Sequence, residues 1–168
     1  MRWPGFTNIH RHILRLGAMI AAASLLLGSM AHAADIKDLT ENMPRGYFGE
    51  FRWDDDKVPQ NVVLVFEPPR ALNAQNAEAY GCGTYEVGSE VTKIKVRMLV
   101  RLSDLQVEIL ELAPEGSNSF ETGGSHRGKL SQDFQGIDAE WTTTATGKRG
   151  QLHIRALASA TCAPASST

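Results

Sequence analysis

The sequence contains little cysteine, and its two cysteines lie far apart. Cys82 and Cys162 are the only ones in the chain, and no Cys-x-x-Cys pair is present. Redox-active pairs usually have two cysteines close together in sequence, so this absence favours a structural disulfide over a redox pair. A Cys82–Cys162 bond would close a loop of about eighty residues and add about 4 kcal/mol of stability.

Patterns typical of enzymes and metal sites are missing as well. His126 and His153 have no second ligand at metal-binding spacing, and each is predicted to be a solvated surface residue. The acidic run Asp54–Asp56 lacks the spaced oxygens of a calcium loop and is predicted to be a turn. The Gly-x-Ser-x-Gly elbow of serine hydrolases is absent too. No metal, cofactor or catalytic residue is predicted, although the carboxylate pair of a small hydrolase stays open as a less favoured alternative.

The chain also lacks an apolar run long enough for a membrane-spanning helix. The run at residues 18–27 has about ten residues, whereas spanning a bilayer takes about twenty. Three arginines precede this run, and Ala31-His32-Ala33 follows it with the small-x-small pattern that signal peptidase cuts. Residues 1–33 are therefore predicted to be a cleaved secretory signal. The mature protein is expected in the periplasm or outside the cell, with no membrane span.

Positive charge is scarce in the expected mature chain. Loss of the signal removes three of seventeen basic residues and none of nineteen acidic ones, which leaves a net charge near −5. Proteins that bind nucleic acid or anionic lipid usually carry a basic patch. Neither nucleic acid nor an anionic lipid surface is therefore predicted as a partner.

Short segments of alternating apolar and polar residues follow one another through residues 46–162. In the clearest, 92–102, apolar side chains are predicted to face the core, and Lys93, Lys95, Arg97 and Arg101 to face solvent. The predicted strands are 46–53, 62–67, 80–85, 92–102, 105–112, 120–122 with 126–131, 137–144 and 151–157. About eight strands without βαβ spacing predict an all-β, up-and-down antiparallel barrel in one domain, with a two-sheet β-sandwich as the alternative.

The remaining segments give weaker patterns. Residues 34–45 are predicted to be partly ordered, with one helical turn at 36–39, and 71–79 to form a loop or a short helix. Residues 163–168 are predicted to be a flexible tail. In the hairpin of 92–102 with 105–112, Glu108 and Glu111 are expected near the opposing lysines and arginines.

Residues 120–130, 137–141 and 146–152 form a distinctive succession. A Gly-x-hydrophobic strand precedes an Ile-x-x-x-Trp strand and a final hairpin. This succession resembles calycin-type barrels, the avidin-like and lipocalin-like proteins, and Gly83-Thr84-Tyr85 is similar to an early avidin-like strand. The resemblance implies a barrel fold, and no binding residue is carried over from it.

The aromatic residues give the functional prediction. In a small barrel, inward aromatics either fill the core or line a pocket for one small apolar ligand. Trp53, Tyr85 and Trp141 are predicted to line such a cup. Arg97 or Arg101 could supply a charge that orients the ligand, if the basic side chains of strand 92–102 face inward instead of outward as predicted above. The chain is thus predicted to be an exported, non-catalytic binding protein with a small, largely apolar ligand in the barrel mouth. The alternative is a periplasmic interaction module or inhibitor with a solid core.

Overall fold

A computed structural model describes residues 34–56, 58–115 and 123–162. The predicted signal at 1–33, the short segment 120–122 and the tail at 163–168 lie outside the described residues. The helix is α1, Ile36–Asn42. The strands are β1 Gly46–Trp53, β2 Gln60–Phe66, β3 Arg70–Ala71, β4 Asn76–Val87, β5 Glu90–Arg101, β6 Gln106–Glu115, β7 Ser125–Leu130, β8 Gly136–Thr142 and β9 Arg149–Leu157.

Eight of these strands close into one antiparallel barrel. The order around the ring is β1, β2, β4, β5, β6, β7, β8 and β9, and β9 pairs with β1. The two-residue β3 lies outside the ring and pairs with the first part of β4. Closure leaves no open sheet edge in the ring, which stabilises a chain built almost entirely of strands. The predicted up-and-down barrel is confirmed, and the β-sandwich alternative is wrong.

The phase predicted for β5 is confirmed. Ile94, Val96, Met98 and Val100 are buried inside the barrel, while the lysines and arginines between them lie on the outer wall. They join the inward residues of the other strands in a single apolar core. Burial of alternate side chains fixes the register, because a slip of one residue would turn every side chain of the strand to the other face.

Residues 71–79 differ from the prediction, because β4 begins already at Asn76. Ala77 and Ala79 are fully or almost fully buried and stand opposite Val100 and Met98 of β5. Alanine carries little strand signal in sequence, and here the pairing with β5 decides the conformation. The loop or helix predicted for 71–79 is therefore wrong for its second half.

The helix α1 closes one end of the barrel. Asp35 caps it by accepting a hydrogen bond from the Asp38 backbone N–H, and Leu39 enters the core. The Ala34 N–H donates to the Leu102 carbonyl at 3.0 Å, in the connection between β5 and β6. The helix is longer than the single predicted turn because Leu39 and Met43 both gain burial there. The described part of the chain contains no helix with the length and apolar character of a membrane-spanning segment.

A disulfide joins Cys82 and Cys162, with the Cα atoms 5.8 Å apart. It attaches the segment that follows β9 to the outer wall of β4. The predicted pairing of these two cysteines is confirmed.

Candidate functional site

The end of the barrel opposite α1 contains a buried group of polar side chains. We call this end the mouth; it is the end at which β1, β4, β6 and β8 finish and β2, β5, β7 and β9 begin. Four inward side chains meet there: Tyr85 of β4, Glu111 of β6, His126 of β7 and Trp141 of β8. We call these four residues the polar cluster. All four are buried, and His126 has no exposed surface (0 %).

Hydrogen bonds converge on the Glu111 carboxylate. The Tyr85 hydroxyl donates to Oε1 at 2.7 Å, and the Trp141 indole N–H donates to Oε2 at 3.3 Å. His126 Nε2 lies 3.1 Å from Oε1 and 3.0 Å from the Tyr85 hydroxyl oxygen. Burial, and then the charge of Glu111, raises the pKa of Tyr85 well above its usual range. The tyrosine therefore stays protonated and acts as a donor.

One nitrogen of the polar cluster has no partner among the residues that the structure describes. With the Glu111 carboxylate as acceptor, His126 carries a proton on Nε2. Its Nδ1 is buried and makes no hydrogen bond with any described residue. A buried polar atom without a partner costs about 1–3 kcal/mol, so native proteins rarely contain one without a reason. The mouth thus contains an unused hydrogen-bonding position.

Aromatic rings form a frame around the polar cluster. Phe51 packs edge-to-face against Trp53 at 4.8 Å between ring centroids, and against His126 at 5.6 Å. Trp53 in turn packs against Trp141 at 5.0 Å. Trp53 is only half buried, and the Lys148 ammonium lies 5.6 Å from the centre of its ring. Trp53 therefore separates the buried rings from solvent.

Strand register brings the polar cluster together. His126 stands opposite Trp141 on one side and Ile109 on the other. Glu111 shares the inward phase of Val107 and Ile109 on β6. Gly124 completes the arrangement, because a Cβ there would lie 2.3 Å from the Trp141 ring. Only glycine lets the indole lie this close to the backbone.

The three aromatic residues predicted for a cup do come together at the mouth. Trp53 and Trp141 are in contact, and Phe51 links Trp53 to Tyr85. However, Tyr85 is 4 % and Trp141 1 % exposed, so these two rings are part of the packed core. Ligand binding by them stays a prediction.

Arg97 and Arg101 do not reach the mouth. Both lie on the outer wall, where Arg97 binds Glu78 at 2.6 Å and Arg101 binds Asp104 at 2.6 Å. A role as orienting charge in the barrel required the opposite strand phase, which β5 does not have. These two residues are excluded from the candidate site.

Two predictions about polar residues were wrong. His126 was expected on the surface because glycine and serine precede it, yet it is an inward residue of β7. Glu111 was expected to pair with the basic face of β5, yet it points into the barrel. Alternation from Val107 through Ile109 to Glu111 was the signal that could have placed the carboxylate correctly.

The predictions for His153 and for the acidic run agree with the structure. His153 is exposed and lies 2.9 Å from Asp138, and Asp54–Asp56 form an exposed bend. The prediction for Glu108 is wrong, because this residue binds Arg127 of β7 at 2.7 Å instead of a residue of β5. In the described part of the chain, no three His, Cys, Asp or Glu side chains are grouped as metal ligands.

Comparison with known proteins gives no family for this chain. No protein-family model matches it, and no curated protein matches it.

Proposed function

We propose that this protein is an exported, non-catalytic binding protein whose barrel mouth holds a small, largely apolar ligand. The observation that carries the proposal is the polar cluster, in which Nδ1 of His126 has no partner among the described residues, together with the ring of Phe51, which packs on both His126 and the half-buried Trp53. Elsewhere in the described interior the buried side chains are apolar apart from neutral groups such as the Tyr47 hydroxyl and Thr143, so an acid and an imidazole at this one place need an explanation. Groups of this kind are concentrated at functional sites, because burying them weakens the fold.

The ligand chemistry follows from the groups that surround the polar cluster. Phe51, Trp53 and Trp141 offer apolar ring surface, which suits an aliphatic or aromatic body. The free lone pair of Nδ1 suits one hydrogen-bond donor of the ligand. Trp53 is the partly exposed ring of this frame, so its displacement gives the ligand its entry.

The fold and the disulfide support the same proposal. An eight-stranded up-and-down barrel is the architecture of the calycin-type proteins that the sequence resembles, and such barrels accommodate one small ligand at the mouth. The Cys82–Cys162 bond fits an oxidising, exported location. Mass determination of the exported protein tests the location: loss of residues 1–33 is expected, and an intact N-terminus contradicts it.

Native mass spectrometry tests ligand binding. The protein is purified from the exported fraction of its own host, and its mass is recorded before and after denaturation. Trp53→Ala is compared with Phe48→Ala, because Phe48 is an exposed aromatic residue on the outward face of the same strand. Extra mass on the wild type and on Phe48→Ala, but not on Trp53→Ala, supports the proposal. A bare wild-type protein, or equal retention by both variants, contradicts it.

One observation favours the second candidate function, a protein-interaction module with a solid barrel. Tyr85 and Trp141 already fill the interior of the mouth. Large apolar side chains are exposed elsewhere, among them Phe48 and Val91. A bare wild-type protein in the native mass spectrum, together with capture of a stoichiometric envelope protein, would favour this candidate over the first.

A further inference from the structure

A groove of about 340 Å³ crosses the outer wall of β4, β5 and β6. Tyr80 lies at one end, Thr84 at the other, and the Cys82–Cys162 disulfide borders it. Leu112 forms part of its wall; this residue is 51 % exposed and is the unpaired residue of a β-bulge opposite Lys95 and Val96. Bulges commonly re-aim a side chain toward a site. The groove therefore offers apolar surface to solvent.

Two ammonium groups along this groove have no partner among the described side chains. Lys93 and Lys95 both line it, and neither forms an ion pair or a hydrogen bond with a described side chain. The cations farther along the same strand are neutralised, Arg97 by Glu78 and Arg101 by Asp104. The free positive charge of this wall is thus concentrated at the groove.

The strand partners of Lys93 and Lys95 differ in charge. Glu67 lines the groove beside Tyr80 and Cys82. Glu115 is the strand partner of Lys93, whereas Lys95 stands between Cys82 and Ala113, which carry no charge. Lys95 is therefore the main anchor for a negative group.

We propose that this groove binds a small amphiphilic anion, a molecule with one carboxylate and an apolar body. The carboxylate pairs with Lys95 and Lys93, and the apolar body lies against Leu112, Tyr80 and the disulfide. Charge complementarity and exposed apolar surface meet here in one depression, and neither alone would select such a ligand. An alcohol lacks the charge, and a short acid such as acetate lacks the apolar body.

The groove and the mouth lie on opposite sides of the barrel wall. Lys95 faces outward from β5, whereas the polar cluster faces inward. The two sites therefore respond to different substitutions. A negative result for the groove does not contradict ligand binding at the mouth, or the reverse, because the probes and the NMR or mass signals that report them differ.

Octanoate is the probe, with octanol and acetate as matched controls, and binding is followed in amide and indole NMR spectra. Octanoate should shift the amides of β4, β5 and β6 beside the groove, and it should bind more tightly than octanol or acetate. Lys93→Gln/Lys95→Gln should weaken octanoate binding about tenfold, because two exposed charge pairs are lost. Lys129→Gln removes an exposed lysine of β7 outside the groove and should leave the affinity unchanged.

Three results would overturn the proposal. The first is an octanoate affinity equal to that of octanol, since charge would then contribute nothing. The second is equal affinity in the double lysine variant and in the wild type. The third is a shift confined to the indole signals of Trp53 and Trp141, which would place octanoate in the mouth.

Discussion

Replacing Trp141 is the most informative single perturbation, because this side chain belongs to both the core and the polar cluster. The indole is 1 % exposed, packs on Trp53 and lies over Gly124. Its N–H supplies one of the donors to the buried Glu111 carboxylate. Trp141→Ala therefore removes a large buried ring and a hydrogen bond to a charged group at once.

The expected loss follows from these two contributions. Removing a fully buried tryptophan ring costs about 3–5 kcal/mol, including the cavity that it leaves. Losing a hydrogen bond to a charged group costs about 1.5–3 kcal/mol. The two costs are not fully additive, because the cost of removing a buried ring already includes the loss of its typical contacts. We expect the free energy of unfolding to fall by about 5 kcal/mol for Trp141→Ala and by about 2 kcal/mol for Trp141→Phe, which keeps a ring but lacks the N–H.

Urea unfolding of the disulfide-intact protein measures both values. Phe48→Ala serves as control, because Phe48 is exposed on the outer wall, and its replacement should change stability by well under 1 kcal/mol. A loss below about 1 kcal/mol for Trp141→Ala would refute the packed mouth. Equal losses for Trp141→Ala and Trp141→Phe would mean that ring packing contributes little to stability and that the N–H hydrogen bond contributes nearly all of it.

Three further predictions concern other residues: the disulfide, Gly124 and Asp104. Cys82→Ser/Cys162→Ser should lower the free energy of unfolding by about 4 kcal/mol, because the crosslinked residues are 80 apart in sequence; an unchanged urea midpoint would contradict this. Gly124→Ala should cost about 1–3 kcal/mol and shift the Trp141 indole NMR signal, since the added Cβ meets that ring; an unmoved signal would be evidence against the contact. The hydrogen bond from Arg101 lowers the pKa of Asp104 from its usual 3.8 to about 2, so this aspartate stabilises the fold above pH 3.8 and loses that effect as the pH falls through 2. Wild type and Asp104→Asn should therefore differ in thermal stability near neutral pH and converge below about pH 2, and a gap that persists in acid would contradict the pairing.

The barrel could be predicted from sequence because most strands display their alternation directly. Residues 92–102 are the clearest example, since every second side chain is apolar and the structure buries that set. The beginning of β4 was missed because Ala77 and Ala79 lack the bulk that marks a strand. Their burial depends on pairing with the neighbouring strand β5, which the local pattern of 71–79 does not contain.

The polar cluster could not be predicted, because its members are polar residues at inward positions. A carboxylate in an inward phase is normally assigned to the surface, since burying an isolated charge is costly. The buried Glu111 carboxylate is stabilised by hydrogen-bond donors from three other strands, β4, β7 and β8. That convergence is a property of the closed barrel. Trp53, Tyr85 and Trp141 were predicted to lie together because aromatic residues on inward phases meet in a small barrel.

Nitrogen-15 NMR of the His126 ring tests whether the mouth holds a hydrogen-bonding position ready for a ligand. Spectra of the protein as purified and after denaturation and refolding are compared, and His153→Gln removes the signals of the exposed histidine. We expect a proton on Nε2 and a free Nδ1 in the refolded protein, with the Nδ1 signal displaced in the protein as purified. A Nδ1 that is hydrogen-bonded in the refolded protein, or identical spectra from the two preparations, would contradict the claim.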